Sequence, residues 1–281
     1  MRAVCSLAVV AGFALGACER PSPLVICHNA NCKHNDVEHD DTLESLNESL
    51  RALTFDGRPV LDGMEWDTFW YGAESRCIFA HDLNGSTSVP VADAADAIGD
   101  YLATTPQVGW NGERFYTFIE LKGFVGASFD DRHTPDQFVQ HANCALDAAK
   151  RIAMGAAAGG HPLTIGFVAG VPEHLKTVSM QPDWDLLANM PDVELMLIGD
   201  IFGPYSSLVP EISDYKVKLD AVEYHPDYMT AQHRETYKSL GIELVQWSFI
   251  STEEAFDAIS RWEPKFVISN EAELMRRWIE N

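Results

Sequence analysis

Met64-Glu65-Trp66-Asp67 sets two carboxylates among apolar and aromatic residues, and His81-Asp82 follows downstream. Glu65 and Asp67 are two positions apart, so on a strand both side chains leave the same face. Trp66, Thr68 and Phe69 favour a strand there. Like charges side by side on one sheet face repel unless a cation or a shared proton relieves them. Upstream, the apolar run Leu24 to Cys27 ends at His28, and downstream Cys77 to Ala80 ends at His81 in the same way. Phe118-Ile119-Glu120-Leu121-Lys122 then puts a third carboxylate and a lysine on one strand face.

The rest of the chain repeats this rhythm. Strand candidates are Leu24–His28, Gly63–Phe69, Cys77–His81, Arg114–Lys122, Leu163–Ala169, Val193–Ile198, Ala221–Tyr224, Glu243–Trp247 and Phe266–Ser269. Helices are predicted from Leu43, capped by Asp41 or Thr42, and over Val91–Leu102, Pro135–Ala157, Thr230–Leu240, Glu253–Trp262 and Glu271–Ile279. Buried runs alternating with helices predict an α/β fold with a parallel sheet, a single-domain (β/α)8 TIM barrel over residues 24–281. An eight-stranded barrel needs one candidate to be something else, and Val193–Ile198 or Ala221–Tyr224 is the expected intruder. No Gly-rich phosphate loop follows the first strand, which disfavours a dinucleotide-binding sheet. In a barrel the chemistry sits at the carboxyl ends of the strands, where His28, Asp67, His81 and Lys122 fall, with Glu65 and Glu120 two residues deeper.

The formal net charge of −22 argues against a nucleic-acid partner and against electrostatic binding to anionic membranes. Hydrophobic content of 46% is that of a globular chain. Met1-Arg2, the apolar run Ala3 to Leu15, and Leu15-Gly16-Ala17-Cys18 read as a signal peptide over residues 1–17. Leu15 to Cys18 resembles the bacterial lipobox, so Cys18 is the expected lipidation site and 18–23 an anchor and linker. Glu19 after that cysteine predicts attachment to the outer membrane, facing the periplasm, through the anchor alone. Cys27, Cys32, Cys77 and Cys144 then remain, with three complete disulfide pairings open to them. A zinc site of Cys27, His28, Cys32 and His34 is the rival reading, weakened by the missing Cys-x-x-Cys pair. His34 and His39 read as solvated, and His133, His141, His161, His174 and His233 as surface residues.

The ordered motifs resemble the glycerophosphodiester phosphodiesterase family, within the phospholipase-C-like phosphodiesterase barrels. The family pattern runs His-Arg, Glu-Asn-Thr-Leu, Glu-x-Asp, His-Asp and Glu-x-Lys. This chain has His28-Asn29, Asp40-Asp41-Thr42-Leu43, Glu65-Trp66-Asp67, His81-Asp82 and Glu120-Leu121-Lys122. Val245-Gln246-Trp247-Ser248 resembles the family's Val-x-Trp-Thr, and Val267-Ile268-Ser269-Asn270 its Ile-Ile-Thr-Asp. The resemblance implies that Glu65, Asp67 and Glu120 hold one divalent cation, Mg²⁺ or Ca²⁺. It implies His28 and His81 as general acid and base, with Lys122 and Asn29 near the phosphate and Trp247 as an apolar wall. The substrate so implied is a glycerophosphodiester, or alternatively a lysophospholipid or sphingomyelin-like diester or an inositol lipid, as for a phosphoinositide-type phospholipase. Asn29 departs from the family's arginine and loses a bidentate phosphate contact. Two other classes fit some of the residues. A glycosidase could use Glu65 and Glu120 but would leave both histidines idle. A non-catalytic binding lipoprotein would account for Asn29 alone.

Overall fold

The computed structural model describes residues 22–34, 36, 38–52, 54–71, 74–81, 89–122, 134–202, 210–248 and 252–281. The expected signal peptide, Cys18, Asp82 and His133 lie outside the described residues. Eight parallel strands close into a barrel: β1 (Leu24–Cys27), β2 (Gly63–Tyr71), β3 (Phe115–Leu121), β4 (Leu163–Ala169), β5 (Val193–Phe202), β6 (Ala221–Tyr224), β7 (Glu243–Trp247) and β8 (Phe266–Ser269). β1 closes the ring by pairing with β8 on one side and β2 on the other. Around it lie α1 (Leu43–Ala52), α2 (Val91–Thr104), α3 (Pro135–Gly159), α4 (Pro172–Ser179), α5 (Pro182–Ala188), α6 (Ala231–Leu240), α7 (Glu253–Trp262) and α8 (Ala272–Glu280). Among the described residues no helix is long and apolar enough to cross a membrane.

The intruder among the strand candidates is neither of the two expected. Val193–Phe202 and Ala221–Tyr224 are both staves, whereas Arg76–Phe79 folds back antiparallel on β2, with Thr68 opposite Phe79 and Tyr71 opposite Arg76. Chain length is the reason. Only residues 72–75 separate this return strand from β2, and a parallel crossover needs about a dozen residues or more.

The strands sort their side chains by alternation. Ile26, Phe118, Val168, Ile198, Ala221, Val245, Phe266 and Ile268 fill the barrel interior. There Tyr116 and Phe118 set their rings edge-on to Phe266 at 5.2 Å. The opposite faces join the helices in the larger core. Alanine-rich α3 packs tightly on α2, since a Cβ at Gly155 would lie 2.2 Å from the carbonyl oxygen of Gly99. Thr42, not Asp41, caps α1 by accepting the Ser45 N–H.

The closing seam is tied by one buried carboxylate. Asp62 accepts the N–H of Val25 at 2.9 Å and of Trp110 at 3.0 Å, and the Arg276 guanidinium of α8 pairs with it. Arg276 also donates to the carbonyl of Val60 at 3.1 Å. Next to it, a Cβ on Gly63 would stand 2.1 Å from the Tyr116 carbonyl oxygen, so only glycine lets β2 and β3 approach there.

The disulfides are Cys27–Cys32 and Cys77–Cys144, which takes Cys27 and Cys32 away from any zinc site. The second joins the return strand to α3 across a separation of 67 residues. Several histidines are not the surface residues expected. His141 and His174 are fully buried, edge to face at 5.0 Å, and His141 bonds to Thr68 Oγ1. The alanine face of α3 carries His141 inward, a placement its polar side chain alone does not signal. His34 and His39 stack on one another at 4.1 Å and pair with Glu48 and Asp36.

Removing one partner of a buried ion pair strands the other charge. Asp62→Ala is therefore expected to lower unfolding free energy by about 3–5 kcal/mol in urea titrations. A loss under about 1 kcal/mol, the range of a surface pair, would show that the seam closes without it.

Candidate active site

One more step of the same alternation carries the interior face to the mouth. Beyond Ile26, Phe118, Ile198, Ala221, Val245 and Ile268 come His28, Glu120, Asp200, Glu223, Trp247 and Asn270. β2 adds Glu65 and Asp67. One carboxylate oxygen each from Glu65, Asp67 and Glu120 lies within 4.8 Å of the others. Neighbouring groups hold the acids in place. Glu65 accepts the N–H of Asn29 at 2.8 Å, and the N–H of Asp67 donates to Asp41 Oδ1 at 3.0 Å. Glu65 Oε1 and Asp67 Oδ1 are buried and accept no hydrogen bond, and Asp67 Oδ2 meets only the Lys122 ammonium.

Burial pushes Glu65 well above the ordinary carboxylate range, and the charges of Asp67, Glu120 and Asp41 push it the same way. Burial likewise raises Glu120 to about 8, with Lys122 opposing. Asp41 is driven well up by burial and by Asp67. Lys122 sits 2.7 Å from Glu120 and 3.2 Å from Asp67. Burial works against its charge, but Asp67, Glu120 and Glu65 outweigh that and hold the ammonium well above its ordinary value. Converging carboxylate oxygens from three acids, with unfilled acceptor capacity on Glu65 and Asp67, are the donor set of a hard divalent cation, so the residues fit such an ion.

His28 is 7% exposed and held from both sides. Trp247 Nε1 lies 2.9 Å from His28 Nε2, and an indole N–H can only donate. Nε2 is therefore the acceptor, and Nδ1 carries the proton donated to Asn270 Oδ1 at 2.5 Å. Burial lowers the imidazole to about 4, against the opposing hydrogen bond to Asn270 and charge of Asp67. His28 is thus a neutral, oriented base. Trp247, expected as an apolar wall, is also its hydrogen-bond donor, with the rings edge to face at 5.6 Å.

Asn29 sits beside the site with its amide on Asp40 and its Oδ1 buried without a hydrogen-bond partner. Its Nδ2 donates to Asp40 at 3.2 Å, and its backbone N–H serves Glu65. Asn29 and Ala30 are left-handed at φ 47° and 52°, an uncommon pair for non-glycine residues. The Ala30 N–H donates to the Glu65 carbonyl at 2.9 Å, and Cys27–Cys32 closes the loop. Asp41, at φ 50°, donates its N–H to the Asn29 carbonyl. His81 follows the return strand instead of a stave, half-buried, yet near enough that its charge is felt at His28 and Asp40.

Four contributors escaped the sequence reading. Asn270 was visible only as a motif residue, and Asp41 only as a motif residue and a cap. Asp200 lies beyond the expected end of its strand, and Glu223 lies inside one. The usable signal was the period of two, which aligns both acids with inward Ile198 and Ala221.

No protein-family profile matches the chain, and no curated protein matches its sequence. Solved structures match it by fold. A phosphodiesterase from Oleispira antarctica, solved with its product sn-glycerol-3-phosphate, superposes with a TM-score of 0.60 at 12% identity, covering 92% of this chain and 97% of its own. A glycerophosphodiester phosphodiesterase from Agrobacterium tumefaciens gives 0.52 at 13% identity, covering 92% of this chain and 100% of its own. At such identity the likeness establishes the barrel architecture.

Two measurements probe this geometry. An acid raised by burial holds its proton in the folded state, so cation binding must displace it. The gain in Tm from added Ca²⁺ or Mg²⁺ over EDTA is expected to grow from pH 5 to about pH 8 and to vanish in Glu120→Gln; a gain independent of pH would contradict it. Nitrogen NMR of His28 should show a proton on Nδ1 and a neutral ring down to about pH 4. Asn270→Asp, which adds a charge beside Nδ1, is expected to move that titration upward; an unmoved titration would mean that residue 270 does not set the ring's basicity.

Proposed function

We propose that the chain is a divalent-cation-dependent phosphodiesterase acting on glycerophosphodiesters or related phospholipid headgroup esters. The observation that carries this reading is the pairing of one converging carboxylate trio with a neutral, doubly oriented histidine in the same barrel mouth. Glu65, Asp67 and Glu120 would hold the ion, which when bound neutralises a phosphate oxygen and favours the charge that builds up in the transition state. His28 removes the proton of the attacking hydroxyl through Nε2, exchanging the Trp247 N–H for that group. Asn270 keeps the proton on Nδ1 and so keeps the working lone pair on Nε2. His81, on the return strand, protonates the leaving alcohol. Lys122 adds a donor beside the phosphate and neutralises part of the acid cluster.

The solved neighbours support the reading through the activities in their names, one of them with glycerol-3-phosphate bound. The same machinery would serve lysophospholipid or sphingomyelin-like diesters. The binding-only reading leaves an unexplained cost, because a strained loop and crowded acids are maintained around His28. Export and lipid attachment at Cys18, with the barrel facing the periplasm, complete the proposal.

The test follows product release by phosphorus NMR from a panel of glycerophosphodiesters and lysophospholipids, with metal stripped and then restored. His28→Ala is expected to lower kcat/KM by about 10²–10⁴, the usual worth of a general base. Glu65→Ala should abolish the response to metal. Turnover that survives both substitutions, or no turnover on any diester, would overturn the assignment.

A further inference from the structure

Asp200 and Glu223 have no part in that chemistry. They stand opposite one another in the register of β5 and β6, beyond inward-facing Ile198 and Ala221. Glu223 is 8% exposed, and its Oε2 is buried with no hydrogen-bond partner. Burial, then the charges of Asp200 and Glu120, push its carboxyl well above the ordinary range, with the Lys122 charge opposing.

A second metal ion does not suit them. Among the described residues, Glu65, Asp67 and Glu120 are the one group of three whose ligand atoms converge within 4.8 Å. Glu120, Asp200 and Glu223 feel one another's charge without converging on a point. Such an arrangement suits a larger, diffuse cation. Aromatic faces adjoin it: Trp247, on the next stave, meets the His225 ring at 5.4 Å, and His225 meets Tyr228 at 5.6 Å. Alkylammonium groups are held by carboxylates together with aromatic faces. Gly170, just past β4, presents no side chain, and the nearest atom to a Cβ there would be Asp200 Oδ2 at 3.5 Å.

We propose that Asp200, Glu223 and Trp247 form a subsite for the ammonium of a cationic alcohol esterified to the phosphate, so that zwitterionic diesters are preferred over those of neutral alcohols. The preference rests on the phosphodiesterase reading, but the subsite can be tested apart from it. A zwitterion also answers the charge problem of the mouth, with phosphate at the cation and Lys122 and ammonium at the acids across from them.

The probe is choline chloride, titrated calorimetrically into the chain loaded with its divalent ion. Its uncharged isostere, 3,3-dimethyl-1-butanol, is the control. Choline is expected to bind saturably and the alcohol not at all, with choline binding weakened roughly tenfold in Glu223→Gln, the worth of one partly desolvated charge contact. Asp200→Asn repeats the test from the neighbouring stave should Glu223→Gln not fold. In turnover, the kcat/KM ratio of glycerophosphocholine to glycerophosphoglycerol should exceed one and fall toward one in the same variants. Equal binding of choline and the alcohol, no choline binding, or a ratio the variants do not move would overturn the subsite. So would a second Ca²⁺ per chain that Glu223→Gln abolishes. Turnover absent on both diesters would sink the phosphodiesterase reading alone and leave the choline titration to decide the subsite.

Discussion

Carboxylates gathered in a dry cleft repel, and the architecture of this protein is a way of tolerating that repulsion. Glu65, Asp67 and Glu120 converge because adjacent parallel strands in register leave them no other direction. Their cost is spread over several groups. Lys122 contacts two of them, the Asn29 N–H donates to Glu65, and Asp41 accepts the N–H of Asp67. Water cannot be let in freely, since a wet site would weaken every electrostatic contact the chemistry uses.

The second constraint is closure. A ring of staves has no free edge, and the last pair must meet in register. Here the meeting of β1 and β2 is short, Ile26 with Gly63 and Cys27 with Met64. Asp62 supplies what that short ladder lacks, binding backbone from two segments and the guanidinium of the final helix at once. The base of the barrel is thus held by a buried ion pair and the interior by aromatic packing, which leaves the mouth to carry the strain.

Most of this arrangement was legible because it follows periodicity. Inward and outward alternation placed Glu65, Asp67, Glu120, Lys122 and His28 at strand ends, and the helix–strand rhythm produced the barrel. What escaped was long-range. A strand's direction depends on the length of the connection before it, and Arg76–Phe79 looked like its neighbours until the four residues preceding it were weighed. The tautomer of His28 depends on Trp247 and Asn270, more than two hundred residues away in the chain. The burial of His141 and His174 depends on which face of a helix meets another helix, which a polar ring does not announce.

Each disulfide braces a segment that bears one of the two histidines. Cys27–Cys32 spans the turn containing His28, and Cys77 anchors the return strand that leads to His81. Thiols are kept reduced in the cytosol and paired in oxidising compartments. A freshly made chain would thus have its staves and its acids before the segments bearing His28 and His81 were fastened. The placement of both rings would then be completed by a covalent step, chemically distinct from the hydrogen bonding that closes the barrel.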